Sequence, residues 1–276
     1  MRSFPLSSDR FDRRTFGQRF GLALIFILLM LALALLSDRF LTPANLINIL
    51  RQTAINGIIS AGMTLVILTG GIDLSVGSVL ALSVTIGAAL MKQGWPVEIS
   101  VLAALATGTG LGCINGVLIT LARIPPFMAT LGMLAMARGL TLMYTEGQPI
   151  TGFPAAFRWL STDDIAGILV PIVLMLLVFV AGGIILTARL WSAQPNTGIG
   201  LELDAIAAAV LGGSSLAGGA GGIPGTIAGS FIIGMLANGL NLLGVPSYHQ
   251  QVIKWAIFVI AVVLTGGVGI GNKKRA

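Results

Sequence analysis

Apolar residues fall in long runs along this chain, and polar residues gather in the short gaps between them. Eight runs stand out: 20–36, 48–69, 74–91, 97–119, 127–144, 168–188, 223–245 and 250–268. Each has about the 17–25 residues that a helix needs to cross a bilayer. A ninth run, 204–217, is shorter and is interrupted by Gly212 and Gly213. The pattern predicts an all-α, polytopic integral membrane bundle of 8–9 spans. Alternation places the gaps 37–47, 92–96 and 145–167 on the outer side. It places the turn Arg123-Ile124-Pro125-Pro126 on the cytoplasmic side, where an arginine is favoured and the two prolines stop any helix.

One stretch departs from this pattern. Met63 to Leu82 reads MTLVILTGGIDLSVGSVLAL, with Gly70, Gly71, Asp73, Ser75, Gly77 and Ser78 close together in an apolar setting. Irregular backbone at membrane depth is tolerated only where protein buries it or where it lines a watery cavity. The stretch therefore predicts a break between two helices beside a pathway. A weak internal repeat accompanies it. Residues 68–78 resemble 211–219, which carry Gly212 and Gly213, and residues 112–127 resemble 236–248, each with an Asn-Gly pair followed by proline. Repeated halves with sites at their interface are common in transporters.

Composition narrows the class. The chain has 276 residues, 55% hydrophobic and only 9% charged, against about 25% charged in soluble domains. A water-soluble globule is excluded. The 37 glycines suit closely packed membrane helices. The net charge of +6 does not point to nucleic acid. Arg2, Arg10, Arg13, Arg14 and Arg19 precede the first run, and Lys273, Lys274 and Arg275 close the chain. Basic flanks of this kind predict that both termini are cytoplasmic. The first run, 20–36, is expected to be an uncleaved span rather than a signal peptide, because it is long for a signal core. Cys113 is the single cysteine, so no intrachain disulfide can form.

Six polar side chains are candidates for a pathway or for structural roles. Asp73 suits either a helix N-cap or a contact with solute or proton. Ser75 lies beside it. Arg138 falls within the run 127–144, where a charge must snorkel, pair or face a cavity. No acid in that run can pair with it. Asn115, Asn238 and Asn241 could bind a hydroxylated solute, or could bond across helices as glue. Gly70, Gly71, Gly212 and Gly213 would supply kinks or close packing. Glu202 and Asp204 are spaced i, i+2 and should not share a helix face. With His249 the only histidine, there is no zinc motif. The segment 218–225 lacks the Lys and Ser/Thr of a phosphate-binding loop. The chain is expected to be no enzyme and to bind no cofactor or metal.

Longer blocks carry a family resemblance. GMTLVILTGGIDLSVGSVLAL and PPFMATLGMLAMARGLTLMYTEGQPI resemble the membrane permease subunit of ribose-type (monosaccharide) ATP-binding-cassette importers. So do LTARLWSAQPNTGIGLELDAIAAAVLGGSSLAGGAGGIPGT and NGLNLLGVPSYHQQVIKWAIFVIAVVL. The resemblance covers nearly all of the chain after residue 20. It implies a permease domain over 20–268 between basic cytoplasmic tails at 1–19 and 269–276, in a bacterial inner membrane. It implies a second permease copy, identical or different, a cytoplasmic ATPase that holds ATP and magnesium, and an extracytoplasmic sugar-binding protein. Membrane lipid is the remaining partner, and nucleic acid is not one.

One departure from the family pattern is expected to matter. The pattern gives about ten spans of bilayer length and a cytoplasmic loop after the sixth that carries the helix coupling the permease to the ATPase. Here Pro171 to Val180 runs directly into Ala181 to Leu190, so two family spans are fused and the coupling-helix loop is absent. The missing loop opens a second reading, a transport-inactive truncated permease that still inserts and pairs, and Asp73 and Arg138 allow a third, an ion-coupled carrier or channel.

Overall fold

The computed structural model describes residues 13–154, 157, 164–165, 168–169, 192–193, 198–216 and 218–266. Among them are eight helices: α1 (Arg13–Leu36), α2 (Pro43–Leu68), α3 (Val76–Lys92), α4 (Val97–Thr120), α5 (Pro126–Thr145), α6 (Leu201–Leu211), α7 (Ile223–Leu242) and α8 (Ser247–Gly266). Short strands lie between α5 and α6. β1 (Ile150–Thr151) pairs antiparallel with β4 (Ser192–Ala193), and β2 (Asp164–Ile165) with β3 (Ile168–Leu169).

Proline and glycine punctuate the helices as their chemistry requires. Pro43 and Pro126 open α2 and α5, at the position where a missing N–H costs nothing. Gly70 (φ 78°) follows α2 and Gly213 (φ 91°) follows α6. Both close a Schellman motif. Gly71 donates to the Val66 carbonyl and Gly70 to Ile67, just as Ser214 donates to Ala209 and Gly213 to Val210. Glycine takes the left-handed conformation without the steric cost of a Cβ.

Helices α2, α3, α6 and α7 form the centre. Ile55, Ile58, Ile59, Met63 and Ile67 of α2 pack on Ala205, Ile206 and Ala209 of α6. Glycine permits the closest approaches: a Cβ at Gly229 of α7 would collide with the Ala208 backbone of α6, and one at Gly77 with the Gly198 backbone. Helices α4 and α5 lie outside α3 and expose Leu102, Val117, Leu131, Leu140 and Met143. Among the described residues α4, α5 and α7 are long and apolar enough to cross a membrane.

Two expected spans change. The run 204–217 is not a crossing: α6 has 11 residues, about 16 Å at 1.5 Å per residue, against about 30 Å of hydrocarbon. The run 168–188 does not begin as helix, because Ile168 and Leu169 pair as β3; its remainder, with the fusion near residue 180, lies outside the described residues. So do residues 1–12 and 267–276, which hold most of the two basic tails.

Candidate functional site

The break between α2 and α3 is organised by a short hydrogen-bonded relay. Asp73 Oδ1 accepts from the Ser75 backbone N–H at 2.8 Å and from Ser75 Oγ at 2.6 Å. This is the local Asx-type turn that a short carboxylate favours. Helix α3 starts one residue later, with Ser75 at its N-cap and no side-chain bond to the helix's own N–H groups. Asp73 therefore shapes the entry to the helix; the expectation that it caps α3 directly is corrected. Asn115 of α4 completes the relay by donating Nδ2–H to Ser75 Oγ at 3.0 Å. Asn115 is 5% exposed and Ser75 1%. The Asn115 Oδ1 has no hydrogen-bond partner among the described residues. Thr130 of α5 secures the same break from its other side, donating to the Ile72 carbonyl at 3.2 Å.

The first turn of α3 also meets the start of α6. Glu202 accepts a long bond, 3.4 Å, from the Gly200 N–H through Oε1. Its Oε2 is buried with no hydrogen-bond partner among the described residues. That oxygen lies against Gly77, where any Cβ would collide with it. Arg138 of α5 is partly buried and within electrostatic reach of Glu202. Asp204 points elsewhere and pairs with Lys254 of α8, with Nζ 3.0 Å from Oδ1 and 2.9 Å from Oδ2. The two acids indeed do not share a partner: Asp204 pairs with Lys254 of α8, while Glu202 has Arg138 of α5 within electrostatic reach. The acid within electrostatic reach of Arg138 comes from α6, not from its own helix. What marked Glu202 and Asp204 in the sequence was their charge in an apolar run.

The remaining polar candidates lie on α7. Asn238 and Asn45 of α2 exchange reciprocal amide bonds of 2.9 and 3.0 Å in a buried setting. Thr64 and Thr226 hydroxyls meet at 2.6 Å between the same two helices. Asn241 Oδ1 accepts from Gln250 of α8 at 2.8 Å. Thus Asp73, Ser75 and Asn115 come together, Arg138 lies within electrostatic reach of Glu202, and Asn238 and Asn241 serve other junctions. Asn45, Thr64 and Thr226 were not singled out by the sequence, because their significance lies only in their distant partners.

The two glycine-rich breaks touch. Gly219 N–H donates to the Leu68 carbonyl at 3.1 Å, and a Cβ at Gly218 would lie 3.0 Å from the Gly70 backbone. Both breaks end a helix with the same hydrogen bonds, Gly70 and Gly213 holding corresponding places. The repeat fails for the Asn-Gly pairs: Asn115 is on the second helix after its break and Asn238 on the first.

Comparison with known proteins agrees with a transport role. A family model described as branched-chain amino acid transport system / permease component matches residues 45–181 and 164–262. The ribose import permease protein RbsC of Escherichia coli (strain K12) is 40% identical, with 92% of this chain and 94% of that protein aligned. RbsC of Bacillus subtilis (strain 168) is 43% identical over 90% and 92% of the two chains. The D-allose transport system permease protein AlsC of E. coli (strain K12) is 32% identical over 92% and 93%. The alignment with E. coli RbsC extends over 306 residues, more than the 276 of this chain, so RbsC carries residues that this chain lacks. No solved structure matches the chain significantly. The chain belongs to this permease family.

Proposed function

From that membership, we propose that the chain is the membrane permease subunit of an importer for ribose or a related monosaccharide, driven by a separate ATPase. Two permease copies, identical or different, would enclose the pathway. A sugar-binding protein would deliver solute on the outer side, and the ATPase would act on the cytoplasmic side, where both basic termini are placed by the positive-inside rule. ATP with magnesium belongs to the ATPase. The pair would alternate between outward- and inward-open states as ATP binding shifts their populations.

The observation that carries this reading is the likeness to sugar permeases over nine-tenths of the chain. The broken helix α2–α3 and the short helix α6 fit it, since discontinuous helices surround solute sites in many transporters. The test is uptake of radiolabelled ribose into proteoliposomes that hold the permease, its ATPase and its binding protein. ATP-dependent accumulation is the expected result; its absence, with all three proteins assembled, would sink the proposal.

A second reading has its own support. The relatives carry residues that this chain lacks, and the two stretches matched by the family model meet at 164–181, beside the expected fusion. If the missing residues are the coupling loop, the chain inserts and pairs but does not transmit ATP-driven motion. Recovery of uptake when the corresponding RbsC segment is inserted near residue 180 would favour it.

A further inference from the structure

We infer that Glu202 and Asn115 are solute-binding residues, which take hydroxyl groups of a polyol at the first turn of α3. This rests on the sugar-permease reading above and assigns the site within it. Three observations converge. Asn115, more than nine-tenths buried, keeps its Oδ1 unpartnered while its amide group is held against the α3 N-cap through Ser75. Glu202 keeps Oε2 buried and unpartnered against Gly77, two residues beyond Ser75 at the same helix end. The N–H groups of that first turn receive no side-chain cap.

A buried acceptor left without a donor is costly, and more so for a carboxylate. Here two such acceptors flank one helix end whose own N–H groups point outward as donors. A neutral molecule with several hydroxyls matches this set, because each hydroxyl can donate to an acceptor and accept from an N–H. A simple anion would meet the N–H groups but would be repelled by Glu202. Arg138 of α5 lies within electrostatic reach of Glu202. The Asp73–Ser75 pair orients Asn115 and is a positioning element. Gly77 leaves room at the helix end for both the Gly198 backbone, which could not give way to a side chain, and the Glu202 carboxylate. In the conformation described the Gly198 backbone and the Glu202 carboxylate lie directly against Gly77, so solute binding requires the start of α6 to move off α3.

The experiment is uptake in the assembled complex, comparing ribose with its monodeoxy analogues in wild type, Glu202→Met, Glu202→Gln and Asn115→Leu. The binding protein discriminates equally in every case, so changes in the ratio between sugars report on the permease. Loss of one hydrogen bond to a charged group is expected to lower kcat/KM for ribose by about ten- to a hundredfold in Glu202→Met. The same variant should handle one deoxy analogue no worse than wild type does, while Glu202→Gln, which keeps an acceptor, retains most of the discrimination. Asn115→Leu should erase discrimination at a different hydroxyl. A uniform fall for all sugars, as loss of a structural bond or an internal water would give, overturns the inference, and so does no change. Wild-type uptake with unaltered ratios in the variants would defeat this inference alone; absence of wild-type uptake would defeat the permease reading with it.

Discussion

Asn115 of α4 and Ser75, at the head of α3, are 40 residues apart and joined by a buried 3.0 Å hydrogen bond. Ser75 passes the interaction on to Asp73 at 2.6 Å, so one hydroxyl both accepts and donates. The bond ties the C-terminal part of an outer helix to the break between two inner ones. Its strength decides whether the break is held in one shape.

Ser75→Ala is expected to cost about 1–2 kcal/mol, because it leaves the Asn115 amide group unpartnered as well as removing the Asp73 contact. Asn115→Ala alone should cost about 0.5–1.5 kcal/mol. The double variant should fall short of the sum, since both changes remove one shared bond. Unfolding in detergent micelles checks this, and strict additivity would show that the relay does not act as a unit.

The Asn45–Asn238 pair should show a coupling of about 0.6–1.7 kcal/mol in a double-mutant cycle with alanine, the range found for polar pairs between membrane helices. The two side chains satisfy one another, so each single variant should cost nearly as much as the double. A zero coupling energy would mean that lipid or water replaces the partner.

Glycine positions should divide by their surroundings. Gly218→Ala meets the Gly70 backbone at 3.0 Å and sits at φ 82°, so it should lose more than the roughly 1–2 kcal/mol of left-handed strain alone. Gly116→Ala, within α4 with nothing near its Cβ, should gain about 0.5–1 kcal/mol. Comparing the two unfolding midpoints with wild type tests both signs at once.

The Lys254–Asp204 ion pair, with side chains only 17% and 15% exposed, should behave as a partly buried pair. Lys254→Met is expected to cost about 1–3 kcal/mol by leaving Asp204 uncompensated, and adding Asp204→Asn should restore much of it. A double variant no more stable than Lys254→Met would argue that packing, not charge, holds α8 against α6.

The helices were legible because their signals are local. Most expected spans match the observed helices within a few residues: 97–119 became α4 at Val97–Thr120 and 127–144 became α5 at Pro126–Thr145. The break at Gly70 and Gly71 was legible for the same reason. α6 was overestimated because apolar character continues through residues 204–217 while the glycines end the helix at Leu211. The pairing of Asn115 with Ser75 was not legible, although both residues were singled out. Their types named the chemistry, but nothing within a single helix said which other helix would face them.

Run length, hydropathy and glycine placement alone made this an all-helical membrane protein with two glycine-rich breaks, since each depends on neighbours in the chain and on the width of a bilayer. Partner choice was left to the tertiary structure. Lipid is as apolar as the helix surfaces, so burial gives no preference for one neighbour over another. Only the packed arrangement brought Asn45 to Asn238 across 193 residues, set Glu202 against Gly77, and laid the second glycine break upon the first.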